Sequence, residues 1–159
     1  MKELTEKEVW NKVTAYCSIA ERCSADVVDK LQKWGVERDV LSNITSKLVE
    51  EKYIDEKRYS FAFVNDKYRF AKWGKVKIVQ ALKQKQVPED VYDLALKDVD
   101  ENEYLDILRN LLNAKRKTIH AKNEYEQNGK LIRFALSRGF EMKDIRHCIH
   151  LFDDNDFDY

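Results

Sequence analysis

The sequence predicts an all-α protein, an elongated array of three tandem three-helix, helix-turn-helix-like repeats. Three observations carry this. Only 4 Gly and 1 Pro occur in 159 residues, too few for the tight turns of an all-β fold. Apolar residues recur at three- and four-residue spacing along most of the chain, as amphipathic helices require. One short pattern also returns twice. Leu31, Gly35, Val36 and Val40 align with Leu82, Gln86, Val87 and Val91, and both sets align with Ala135, Gly139, Phe140 and Asp144, where Ile145, one place on, supplies the apolar residue. Val36, Val87 and Phe140 lie 51 and 53 residues apart, a helical-repeat period. A single unit of this size cannot cover its own apolar face, so stacking and an elongated shape follow.

The first helix starts near Thr5, which with Glu8 has capping-box spacing, and carries Val9, Trp10, Val13 and Tyr16. The second runs from the N-cap Ser24 through Val27, Val28 and Leu31, and Gly35 ends it in the left-handed conformation. The third places Val40, Leu41, Ile44, Leu48 and Val49 on one face and fades near Tyr53. Asp55 caps a fourth, with Tyr59, Phe63, Val64 and Tyr68, which Gly74 breaks. The fifth carries Val76, Ile78, Val79 and Leu82. Pro88, at the first helical position, starts a sixth with Val91, Leu94 and Ala95. Asp100 and Glu103 repeat the capping-box spacing and open a seventh along Leu105, Leu108, Leu111 and Leu112. An eighth helix ends at Gly139, and a ninth carries Ile145, Ile149 and Leu151. The units are bounded at 1–53, 54–99 and 100–152, and an acidic C-terminal tail occupies 153–159.

Charged residues make up 36% of the chain, hydrophobic residues 43%, and 3 Trp, 8 Tyr and 7 Phe give it ample material for a core. That excludes a disordered chain. The formal net charge is +0, so no global field marks a nucleic-acid binder. Cys17, Cys23 and Cys148 form no CxxC pair and suit a reducing compartment. The N-terminal residues lack a signal-peptide core, and no apolar run reaches the length of a membrane span. A cytoplasmic, monomeric protein is the expectation.

Catalytic machinery is not apparent. Trp73-Gly74-Lys75 lacks the flanking glycines and preceding strand of a phosphate loop, and neither a GxSxG nor an HExxH motif occurs. The carboxylates fall on polar faces and at helix starts. His147, Cys148 and His150 form the one cluster with metal-ligand atoms, but zinc needs further ligands, and Cys148 reads as a small hydrophobe beside Ile149. No metal, cofactor or catalytic residue is therefore expected, and the chain reads as a binding protein, not an enzyme.

Charge is nevertheless segregated. Lys67, Arg69, Lys72, Lys75 and Lys77 cluster around Tyr68, Phe70 and Trp73. A second group holds Arg109, Lys115, Arg116, Lys117 and Lys122, and a third Lys130, Arg133 and Arg138. Acidic residues dominate from Glu89 to Asp106 and again at Asp153-Asp154-Asn155-Asp156-Phe157-Asp158. Stacked repeats would align the basic groups into a stripe able to meet phosphates or an acidic protein surface.

Taken together, these residues resemble the RecX family. Tyr53-Ile54-Asp55-Glu56-Lys57-Arg58-Tyr59 is similar to the family's Gly-Tyr-Leu-Asp-Asp-x-Arg-Phe-Ala core, followed by Phe63-Val64, Trp73-Gly74-Lys75, Ile78, Leu82 and Lys85-Gln86-Val87. Arg22-Cys23-Ser24 with Lys30-Leu31 resembles the opening Arg-x-Ser…Lys-Leu, and Arg138-Gly139-Phe140 the closing Arg-Gly-Phe. Lys52 stands where the family has Gly before the tyrosine, Ser60 in place of Ala, and Gln86 in place of the Gly of a Lys-Gly pair.

The resemblance implies a curved array of three three-helix repeats. It also implies a regulator that lies along the helical groove of the RecA–single-stranded DNA filament, bridges neighbouring subunits, and limits filament growth, ATP hydrolysis and strand exchange. The matched positions are largely structural, so the expected contact residues rest on charge clustering: Arg69, Lys72, Lys75, Lys115, Arg116, Arg133 and Arg138. The partner is the RecA filament, with single-stranded or duplex DNA as a further contact. The competing reading is a direct DNA-binding helix-turn-helix-type protein.

Overall fold

A computed structural model describes residues 3–149 of the chain. Its described residues form helices only: α1 (Glu6–Ile19), α2 (Ser24–Lys33), α3 (Arg38–Glu50), α4 (Glu56–Arg69), α5 (Lys75–Gln84), α6 (Glu89–Lys97), α7 (Glu101–Arg116), α8 (Glu124–Ser137) and α9 (Met142–Ile149). None is long and apolar enough to cross a membrane. The chain falls into two compact units, one from residues up to 63 with 82–95, the other from 64–81 with the chain from 96 onward.

Local polar chemistry sets most helix starts. The Thr5 hydroxyl accepts from Glu8 N at 3.1 Å, Asp55 Oδ1 from Arg58 N at 3.0 Å, and Asp100 Oδ1 from Glu103 N at 3.1 Å. Each bond satisfies a backbone donor that the helix itself leaves unpaired. Asn123 does the same for α8, accepting from Glu126 N at 2.8 Å, in the stretch where no cap was anticipated.

Two starts differ by one residue from expectation. Cys23, not Ser24, is the N-cap of α2, its backbone extended at φ −90° and ψ 169°, and Ser24 N, already inside the helix, donates to the Glu56 carboxylate at 2.8 Å. Pro88 precedes α6 and accepts from Tyr92 N at 3.1 Å.

The repeat pattern has a backbone counterpart. Gly35, Gln86 and Gly139 all adopt positive φ, at 75°, 60° and 94°. After each the same pair of bonds closes the helix: Gly35 N to Gln32 O and Val36 N to Leu31 O, Gln86 N to Lys83 O and Val87 N to Leu82 O, Gly139 N to Leu136 O and Phe140 N to Ala135 O. These are Schellman turns, in which an apolar residue follows the left-handed one and folds back on the helix. A fourth closes α3, with Lys52 at φ 63° and Tyr53 N bonded to Leu48 O. α4 ends differently from expectation. Lys72, not Gly74, takes the left-handed conformation, at φ 58°.

In the first unit, Val9, Val13, Val27, Leu31, Ile44, Leu48 and Ile54 form the core. Arg58 ties its margin, with Nε 2.6 Å from Glu21 Oε1 and Nη2 3.0 Å from Lys52 O. Asp26 accepts from the Lys85 ammonium at 2.5 Å. Burial raises the Asp26 pKa, but the bond to Lys85 and those from Cys23 outweigh it and hold the carboxyl below its ordinary value.

The second unit buries Val64, Tyr68, Tyr104, Leu108, Leu112, Leu131, Ala135, Phe140 and Ile145. Val49, Val76 and Leu94, expected on apolar stripes, are exposed. Each sits at the edge of its stripe, beside a buried neighbour's face. The Cys148 thiol lies 3.7 Å from Leu105 O, and the described residues contain no cluster able to hold a metal. His150, Leu151 and the acidic tail lie outside the described residues.

Candidate basic and aromatic interface

All seven expected contact residues fall in the second unit. Over residues 64–81 and 96–149 this unit holds 16 lysines and arginines against 10 acids, four further aspartates follow in 150–159, and residues 3–63 with 82–95 of the first unit carry 12 against 15. The neutrality of the whole chain therefore hides a basic excess in 64–81 and 96–149, offset by acids elsewhere in the chain.

Its geometry is built on two glycines. Gly74 N donates to Arg138 O at 2.8 Å and Val76 N to Gly139 O at 2.9 Å, so the turn after α8 closes on the start of α5. A Cβ at Gly74 would stand 2.2 Å from the Gly139 carbonyl carbon, and one at Gly139 would stand 2.4 Å from Lys77 Cβ. The buried Tyr104 hydroxyl accepts the next donor, Lys75 N, at 2.9 Å. Burial pushes the Tyr104 pKa up despite that bond, so the phenol remains neutral at physiological pH.

Around this backbone contact the cations arrange themselves on rings. Trp73 N bonds to Lys67 O at 2.9 Å, which folds the indole back between Lys67 Nζ at 4.7 Å and Lys77 Nζ at 4.5 Å from its centroid. Phe134 is shared in the same way by Lys115 Nζ at 4.9 Å and Arg138 Cζ at 6.0 Å. Arg138 Nη2 donates to Ala71 O at 3.0 Å, joining the two groups. Cation–π attraction restrains these long side chains. Phe70, within the same turn, is 79% exposed.

The expected residues differ in what they have left to offer. Arg69 is held bidentately by Glu103, Nε to Oε1 at 2.7 Å and Nη2 to Oε2 at 3.2 Å, and Lys75 donates to the Glu101 carboxylate. Both are neutralised by the acidic first turn of α7. Arg138 is committed to Ala71, and its buried Nε has no acceptor among the described residues. Arg116 donates to Asn113 Oδ1 at 3.1 Å, and Arg133 is exposed on α8 beside Gly129. Among the described residues, Lys72, Lys77, Lys115, Arg116 and Arg133 have no carboxylate within 4.0 Å.

The structure thus brings Lys115 and Arg138 together on Phe134, and adds Lys77 and Trp73, which charge clustering alone had not selected as contact residues. Phe134 belongs to none of the apolar stripes or basic clusters read from the sequence. Only the docking of the Arg138–Gly139 turn on α5 makes it a platform.

Comparison with known proteins identifies the assembly. The model of the RecX second three-helix domain matches residues 55–96, and that of the RecX third three-helix domain matches residues 101–149. The Regulatory protein RecX of Clostridium tetani is 30% identical over 127 residues, covering 78% of this chain and 57% of its own. That of Clostridium botulinum strain Eklund 17B is 36% identical over 118 residues, covering 72% and 54%. The chain therefore spans a little over half the length of these relatives. That of Chlorobaculum tepidum is 28% identical and is covered to 77%.

Two crystal structures share the fold. A regulatory protein RecX superposes with a TM-score of 0.82 at 21% identity, covering 91% of this chain and 72% of the other. RecX from Lactobacillus salivarius gives 0.78 at 22%, covering 93% and 96%. With two consecutive family domains matched in order and an all-helical fold of the same kind, this chain belongs to the RecX family.

Proposed function

We propose that this protein is a regulator of the RecA recombinase that acts by binding the RecA–single-stranded DNA filament, not by catalysis. The observation that carries the reading is the joined set of Lys67 and Lys77 on Trp73 and of Lys115 and Arg138 on Phe134, linked by the Arg138–Ala71 bond. Cations pinned on rings lose little side-chain freedom on binding, so they suit a surface that must meet phosphates or carboxylates repeatedly along a polymer. The relatives' names, each a regulatory protein, support the same reading. The division into units at 1–53, 54–99 and 100–152 belongs to it, supported by equivalent Schellman turns after Leu31, Leu82 and Ala135.

The deciding experiment titrates the protein into RecA ATPase on single-stranded DNA, with binding to bare DNA measured alongside. Substoichiometric inhibition with weak binding to bare DNA is the expected result. A triple Lys72→Glu, Lys77→Glu, Lys115→Glu variant should keep its helical circular-dichroism signal and lose inhibition. Undiminished inhibition by that variant refutes the assigned surface. Tight, steeply salt-dependent DNA binding with no effect on ATPase refutes the filament reading in favour of direct DNA binding.

A further inference from the structure

α8 carries an outer face that is exposed at its two ends, Tyr125 and Leu136, and half-buried between them. Tyr125, Gly129, Ile132 and Leu136 follow at four-, three- and four-residue spacing, and therefore on one side of the helix. Tyr125 is 89% exposed and Leu136 44%. Gly129 lies in the helix interior, where glycine costs about 1 kcal/mol relative to alanine. Unlike Gly74 and Gly139, it answers no need of this fold. A Cβ there would meet only Arg133 Nη1, at an ordinary 3.6 Å.

Gly129 forms part of an open cleft of about 710 Å³ lined also by Asn123, Tyr125, Glu126, Asn128, Ile132 and Arg133. The acid beside it is already engaged. Glu126 lies 3.5 Å from Lys130 Nζ and accepts from Lys122 N at 3.2 Å. Arg133 has no such partner among the described residues, so the cleft combines apolar walls with one free guanidinium.

We propose that this cleft docks an acidic segment of a partner protein, with an apolar side chain over Gly129 between Tyr125 and Ile132 and a carboxylate on Arg133. Planar guanidinium groups pair bidentately with carboxylates, and an apolar stripe at this spacing is how helix faces receive protein anchors. A phosphodiester strand would call for a row of cations, and here there is one.

The test uses the full chain and a fluorescein-labelled peptide in which aspartates flank a phenylalanine and a leucine one helical turn apart. Backbone amide NMR should show shifts at Tyr125, Gly129 and Arg133. Gly129→Leu and Arg133→Glu should each weaken binding at least tenfold. Gly129→Leu should do so with a thermal midpoint equal to or above that of the parent, since leucine favours the helix, which separates lost docking from lost fold.

Equal affinity in the variants, shifts confined to Lys72 and Lys77, or equal binding of the peptide with lysine in place of aspartate would each overturn the proposal. Shifts at Gly129 caused by oligothymidylate would reassign the cleft to nucleic acid. A shift at Gly129 on deleting residues 150–159 would reassign it to this chain's own acidic segment. Either result overturns the partner assignment.

Discussion

Gly74 and Gly139 meet backbone to backbone, with Gly74 N donating to the carbonyl of Arg138 at 2.8 Å and no space for a side chain on either residue. This contact aligns the Trp73 and Phe134 platforms, so the basic surface depends on two residues that carry no charge.

Gly74→Ala is expected to destabilise the protein by about 3 kcal/mol or more, because its methyl would overlap backbone that cannot rotate away. Gly35→Ala is the control. Gly35 has φ 75° but open space around it, so its cost should be about 1 kcal/mol, the left-handed penalty alone. Thermal unfolding of both variants measures the difference, and equal costs would contradict the packing argument.

Lys52 and Gln86 hold left-handed conformations at φ 63° and 60°, positions where glycine is free of Cβ strain. Lys52→Gly and Gln86→Gly should each raise stability by about 0.5–1 kcal/mol. Lys72→Gly, at φ 58°, should stabilise similarly while weakening partner binding, which denaturant unfolding and the ATPase titration read separately.

Arg138 and Lys115 share Phe134 but should respond differently. Arg138→Ala removes the bond to Ala71 O and should cost about 1–3 kcal/mol of stability. Lys115→Ala should leave the unfolding midpoint within about 0.5 kcal/mol of the parent and lower only binding. A large stability loss in the lysine variant would make its role structural.

The Asp26–Lys85 pair sets a pH dependence. Asp26 is held below its ordinary pKa, so its contribution is present above about pH 4 and is lost as pH falls through the depressed value. The bond to Asp26 raises the Lys85 pKa against the opposing effect of burial. Its contribution is therefore present below about pH 10 and is lost as pH rises through the raised value. Lys85→Met should flatten the acid limb of a stability–pH curve between about pH 4 and pH 2. An unchanged limb would remove the pair from the explanation.

Much of the architecture was legible in the chain itself, for a physical reason. Helix periodicity, the capping residues Thr5, Asp55 and Asp100, and the left-handed stops at Gly35 and Gly139 all act within a few residues of one another, so sequence spacing contains them. The recurrence of Leu31-Gly35-Val36 as Ala135-Gly139-Phe140 belongs to the same class, since a Schellman turn is completed inside six residues. The family motif around Arg58 was legible as a pattern, but its work was not. The tertiary fold shows Arg58 holding Glu21, and Glu56 accepting from the first turn of α2, bonds that reach across more than 30 residues.

The basic surface divides along the same line. Composition alone placed Arg69, Lys72, Lys75, Lys115, Arg116, Arg133 and Arg138 in cationic clusters. Which of them keep their charge was decided by tertiary contacts. Glu103 and Glu101 neutralise Arg69 and Lys75, Ala71 O engages Arg138, and Lys77 gains its position from the Gly139 turn. A count of charges is written in the sequence, whereas the pairing of each charge depends on distances that exist only once distant segments have packed.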